Sequence, residues 1–180
     1  MICIYCQSQK ATTRDHVPPK ELLRKPYPRN LLTVPSCAQC NESYSIDEEY
    51  FRLTIVGLLC HTPEAESLFD GPLSRSMNRR PSLEDLMFGS LSPHADGVVL
   101  DVDYARIYRV GDKIAQGLCF AVSGLLPPPR PCYSIGFAEV ETMSSIQTFG
   151  PDFTYAIHDP SARRLEFTLY GSVRFDAVAV

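Results

Sequence analysis

Two Cys-x-x-Cys pairs, Cys3/Cys6 and Cys37/Cys40, bracket the first stretch of this chain. Two cysteines two residues apart grip one metal ion from a tight turn, and a second pair about 30 residues on completes a four-sulfur tetrahedron. That arrangement is the usual closed cage of a structural zinc. The cage fixes both ends of the segment between the pairs. That segment carries Thr13-Arg14-Asp15-His16-Val17-Pro18-Pro19-Lys20, and Asn41 follows the last cysteine directly. A carboxylate, an imidazole and an amide are therefore expected in one small metal-folded unit.

At 180 residues the chain makes one or two domains and can bury a real core. Its 44% hydrophobic and 21% charged residues are those of an ordinary soluble protein. Seven cysteines are many, but with Met1-Ile2-Cys3 starting on a candidate zinc ligand no cleaved leader is expected. No apolar run approaches the roughly 18 residues a membrane span needs. A reducing cytoplasm with metal-bound thiolates is the expected setting. The remaining Cys60, Cys119 and Cys132 are expected as small buried hydrophobes.

The net charge of −4 excludes a uniformly basic coat, but it is unevenly spread. Lys10, Arg14, Lys20, Arg24, Lys25 and Arg29 all lie between the cysteine pairs, whereas the chain beyond residue 45 is acidic. A phosphate backbone would meet those cations, with Arg14, Lys20, Arg24, Lys25 and Arg29 as candidate contacts. An ordinary solvated loop is the alternative.

The pattern along the chain predicts an α+β fold. Asn30 to Pro35 reads as a short strand ended by Pro35. Ser45-Ile46-Asp47-Glu48 reads as a capping box opening a helix to about Leu59, with Tyr50, Leu53, Thr54, Gly57 and Leu58 on one side. Residues 64–70 and 82–88 suggest short helices, the second capped by Ser82. Val98 to Tyr104 is strand-like, and Gly111 to Val122 is a helix presenting Ile114, Leu118 and Ala121. Leu125 to Pro131 is a rigid proline-rich connection. The tail alternates over 153–157, 165–170 and 173–178, which predicts an antiparallel sheet. The expected organisation is a metal module over 1–60, a helical connector over 61–95 and an α+β region over 96–180.

Cys3-x-x-Cys6, Asp15-His16-Val17-Pro18, Asn30-Leu31 and Cys37-x-x-Cys40-Asn41, in that order, resemble the zinc-supported HNH endonucleases. The resemblance covers about the first 45 residues. It implies a ββα-metal core of two strands and a helix around a catalytic divalent ion. It also implies an endonuclease acting on nucleic acid, with DNA the expected partner, and products with 5′-phosphate and 3′-hydroxyl ends. By the same resemblance Asn30 ties down the loop that carries His16.

Hydrolysis of a phosphodiester needs a base for the attacking water and a cation for the departing oxygen. His16 suits the first role, because an imidazole titrates near neutrality. A hard ion such as Mg²⁺ wants oxygen donors, which Asp15 and Asn41 offer. Neighbours in an extended strand point to opposite faces, so Asp15 and His16 converge only if a strained loop or strand end brings them together. Many HNH enzymes carry a second histidine shortly after the last Cys-Asn. This chain has Glu42-Ser43-Tyr44-Ser45 there, which leaves Asn41 or Glu42 as the second ligand. Asn41 as a helix N-cap, Asp15 as a turn cap and the cysteines as a plain zinc ribbon are the rival readings. His61, His94 and His158 have no partner at metal-site spacing. The region after residue 60 is expected to restrict target choice or to bind a partner, a second copy among the options.

Overall fold

The computed structural model describes residues 1–59, 62–95, 97–127, 133–139, 147–159 and 164–179. Cys60, His61, Cys132, Arg163, the Pro128-to-Pro131 part of the proline-rich connection and the Pro160-Ser161 turn lie outside them. The chain begins in a tight knuckle. Cys3 N–H donates to Gln9 O at 2.9 Å, Gln7 N–H donates to Cys3 O at 3.0 Å, and Gln7 takes the left-handed conformation at φ 53°. Strands β1 (Thr13–Val17) and β2 (Leu32–Ser36) then pair antiparallel, with Asp15 opposite Val34 and His16 opposite Thr33.

Pro35 does not end its strand; it pairs opposite Arg14 inside it. The Pro35 carbonyl accepts from Ile4 N–H at 3.1 Å, on the side away from β1. The missing proline donor therefore faces away from β1, where no bond of the β1–β2 ladder is lost.

Helix α1 (Ala38–Ser43) follows at once, and α2 (Ser45–Leu58) after it. Two expectations are corrected here. Ser45 lies inside α2 rather than capping it, and Tyr44 holds the cap position without a side-chain bond. Asn41 lies within α1 and is no N-cap, because Cys37 takes that place, its sulfur accepting from Cys40 N–H at 3.4 Å. In α2 every residue from Tyr50 to Val56 is buried, so the helix is covered on all sides, while Leu58 stands exposed.

The helical middle comprises α3 (Pro63–Leu68), a π-type turn (Phe69–Leu73), α4 (Ser74–Arg79) and α5 (Pro81–Gly89). Proline at the first position of α5 replaces the expected Ser82 cap. A small hairpin of β3 (Leu91–His94) and β4 (Gly97–Leu100) leads to α6 (Tyr104–Ser123). The Asp103 carboxylate caps α6 by accepting from Ala105 and Arg106 N–H, and Gly124 closes it at φ 71°, where only glycine is relaxed. The helix is therefore longer at its start than the expected 111–122, and Tyr104, expected at the end of a strand, opens its first turn instead.

The tail forms one antiparallel sheet of β5 (Tyr133–Glu139), β6 (Gln147–Thr148), β7 (Phe153–Asp159), β8 (Arg164–Leu169) and β9 (Val173–Ala179), in the order β5-β9-β8-β7-β6. The inner face stacks Phe153 on Phe167 at 5.6 Å and Phe167 on Phe175 at 4.9 Å between ring centres, and Phe175 meets Phe51 of α2 at 5.4 Å.

Helix α6 touches both ends of the chain. It packs on α2, on the hairpin strands β1 and β2, and on β5 and β9. At Gly117 the approach to the hairpin is so close that a Cβ would lie 2.5 Å from a Val17 methyl. No described helix is long and apolar enough to cross a membrane.

Candidate metal centre and hairpin site

Each sulfur of the cage is delivered by a local device. The knuckle presents Cys3 and Cys6, the end of β2 presents Cys37, and the first turn of α1 presents Cys40. The four Sγ atoms lie within 4.8 Å of one another, and Cys6 and Cys37 sulfurs are 4.0 Å apart. A tetrahedral zinc with Zn–S bonds of about 2.3 Å separates its sulfurs by about 3.8 Å. The donor set and its spacing fit that ion. With protons on the sulfurs the cage is unsettled. Burial and the neighbouring cysteines push the Cys40 thiol up, while bonds from Ser8 and then Gln9 bring the Cys6 thiol down to about 6. A zinc ion bound there would replace the protons these thiols otherwise carry.

The hairpin splits the Asp15-His16 step. Asp15 and Val17 point inward and are buried, while Arg14 and His16 lie on the other face. The convergence anticipated from a strained loop is absent: both residues belong to regular β1 pairing. Asp15 Oδ2 accepts from the Tyr5 hydroxyl at 2.9 Å and lies 2.7 Å from Lys113 Nζ of α6. Lys113, only 1% exposed, also meets the Glu48 carboxylate from α2 and stands over the rings of Tyr44 and Tyr5 at 4.9 and 5.9 Å. Burial pushes the Glu48 carboxyl up against the opposing pull of Lys113, and burial followed by Asp15 holds the Tyr5 phenol protonated.

His16 is half-buried. Burial, then the nearby Lys20 charge, lower its pKa from 6.5, so the imidazole is neutral at pH 7. Asn30 is exposed and its amide donates to Thr148 O at 3.2 Å, tying its loop to β6. Asn41 is half-buried in α1, and neighbouring Glu42 is exposed. Among the described residues, the four cysteines are the one group of His, Cys, Asp or Glu side chains drawn together at metal-ligand distance.

The basic residues divide. Arg24 is committed to buried Asp152, its Nε 2.7 Å from Oδ1 and its backbone N–H 2.7 Å from Oδ2. Arg14 donates to Thr33, and Lys20 and Lys25 flank the Tyr27 ring at 5.5 and 5.7 Å. Arg29 is exposed on the same loop.

Sequence reasoning missed Glu48, Lys113 and Tyr5. One signal was present: Lys113 falls on the stripe of α6 that carries Val110, Ile114 and Gly117. A cation on an apolar stripe requires a buried partner. No family model, curated protein or solved structure matches this chain.

Proposed function

We propose that residues 1–60 form an HNH-type, metal-dependent endonuclease module that hydrolyses phosphodiester bonds, with DNA as the expected substrate. The observation that supports this most is the order of parts. A four-cysteine cage holds a hairpin whose first strand carries Asp15-His16, and a helix bearing Asn41 leaves its second strand. This is the finer reading of the α+β fold: a ββα-metal module stapled by zinc on Cys3, Cys6, Cys37 and Cys40.

His16 serves as general base. Its neutral ring at pH 7 accepts the proton of an attacking water, and Lys20 beside it favours a phosphate over a cation. Mg²⁺ or a similar ion, bound through oxygen donors of Asp15 and Asn41, supplies charge stabilisation for the leaving oxygen. The fit of that ion is the weaker half of the reading, because both contacts of the Asp15 carboxylate fall on Oδ2 and only Oδ1 is left to a cation. Arg29 and Lys25 offer exposed charge, and half-buried Lys20 adds to it, for a phosphate backbone to meet, while Asn30 steadies the loop between the strands.

The test is nicking of supercoiled plasmid with and without Mg²⁺. His16→Ala should lower the rate by about 10²–10⁴-fold while zinc content and DNA affinity hold. The direction of the His16 shift fixes the pH profile. Its proton is bound less readily than in a free histidine, so the rate should stay level at pH 7 and begin to fall only below about 6.5. A wild-type protein inert across several divalent ions and on single-stranded, duplex and RNA substrates would instead be a zinc-dependent binding module without catalysis. The neutralisation of Asp15 by Lys113 favours that second reading.

A further inference from the structure

Away from the hairpin, the helical middle leaves a cleft of about 670 Å³ against α2. Buried Leu53 and Val56 of α2 line it, together with Leu73, Leu86 of α5 and Leu100 of β4. Sites for small molecules span roughly 300–1,000 Å³ and combine an apolar lining with a few placed polar groups. Thr54 supplies one such group. It lines the cleft at 5% exposure, and its hydroxyl has no hydrogen-bond partner among the described residues. Tyr50 supplies another, one turn earlier on the same face of α2. Its hydroxyl accepts from Asp103 N–H at 2.7 Å, while its own proton goes to no described residue. A buried hydroxyl without a partner is costly, so the pair points to a polar group that arrives from outside. Gly57, exposed in the last turn of α2, keeps the approach open: a Cβ there would meet nothing within 4 Å. The charged residues of the lining, Glu66 and Asp70, are exposed and both acidic, which disfavours an anionic ligand.

We infer that this cleft binds a small, uncharged, largely apolar molecule carrying one hydrogen-bonding group, which the Thr54 and Tyr50 hydroxyls hold. Burial of the apolar body supplies the affinity, and the two hydroxyls fix its orientation. The site lies outside the proposed nuclease residues and stands whether or not the chain cleaves nucleic acid.

The probe is N-phenylnaphthylamine, an uncharged dye with one N–H that brightens in apolar surroundings, compared with its sulfonated, anionic counterpart. The zinc-loaded full chain should take up the uncharged dye saturably, one per chain, and bind the sulfonate at least about tenfold more weakly. Gly57→Leu puts a side chain into the open space and should weaken uptake at least about tenfold, with circular dichroism unchanged. Thr54→Val keeps the side-chain shape and removes the hydroxyl. Its melting temperature should hold or rise, and its affinity for the dye should fall about three- to tenfold. Its affinity for phenanthrene, which has no hydrogen-bonding group, should not change. Should Gly57→Leu fail to fold, Thr54→Val decides alone. No saturable uptake by wild type, equal uptake of the two dyes, or uptake indifferent to the substitutions overturns the inference. A dimer that Gly57→Leu dissociates, seen by sedimentation in a chain that takes up no dye, gives the cleft to a second copy and overturns it likewise.

Discussion

The hairpin and the tail sheet are both antiparallel, yet they are held by different means. The hairpin has two strands of five residues each, too little to be stable alone in water. Its support comes from the four-cysteine cluster, from the buried ion cluster on Asp15 in the middle of β1, and from α6 packed against it. The tail sheet has four strands of six or seven residues beside the two-residue β6, and a continuous run of ring contacts from Phe153 through Phe167 and Phe175 to Phe51. The contrast teaches where each part puts its polar groups. The sheet keeps its stacked rings on one face of β8 and its buried Glu166 and Thr168 on the other, with Glu166 3.0 Å from His158. The hairpin, gathered at the four-cysteine cluster, carries an imidazole and cations on one face and buries charge on the other.

The contrast is broken most directly at the cage. Cys37→Ser should release the zinc, whose binding supplies on the order of 10–16 kcal/mol of folding free energy in small zinc modules. Hydrogen exchange should then show β1 and β2 losing protection first, with β7 to β9 protected longest. Retention of one zinc per chain with unchanged protection of the hairpin would refute the four-cysteine assignment. A smaller effect is expected in the sheet. Phe167→Ala removes the middle ring of the stack, fully buried, and should cost about 3–5 kcal/mol in denaturant unfolding, with zinc content intact. Equal loss of zinc in this variant would mean that the two regions are one cooperative unit. The smallest effect is expected at the seam. Ser45→Ala should change stability by less than about 0.5 kcal/mol, because Ser45 is exposed and caps nothing. A loss near 1 kcal/mol, the ordinary worth of an N-cap, would restore the capping box.

What the sequence revealed and what it hid follow the same division. Cysteine spacing is local chemistry, so the clustering of all four cysteines was legible, as were the three alternating strands of the tail and the body of α6. Strand β5 was missed, although Tyr133, Ile135 and Phe137 alternate with Ser134, Gly136 and Ala138. Ser45 and Glu48 have the spacing of a capping box, but Glu48 is drawn to Lys113, 65 positions away, and the box never forms. Asp15 resembled an open ligand for the same reason: its partner arrives from a helix of the other half. The face on which His16 stands was legible once β1 was allowed to remain a plain strand, because alternation alone separates it from Asp15.

The bare backbone at Gly117 sets a distance. A side chain there would collide with Val17, so α6 lies flush against the hairpin only because position 117 carries hydrogen alone. Lys113 is one helical turn earlier on the same stripe. The length of reach available to its ammonium is therefore decided four residues away, by an atom that is missing. Lifting the helix by the width of one methyl group would draw the charge back from the hairpin and loosen the grip of one half of the protein on the other.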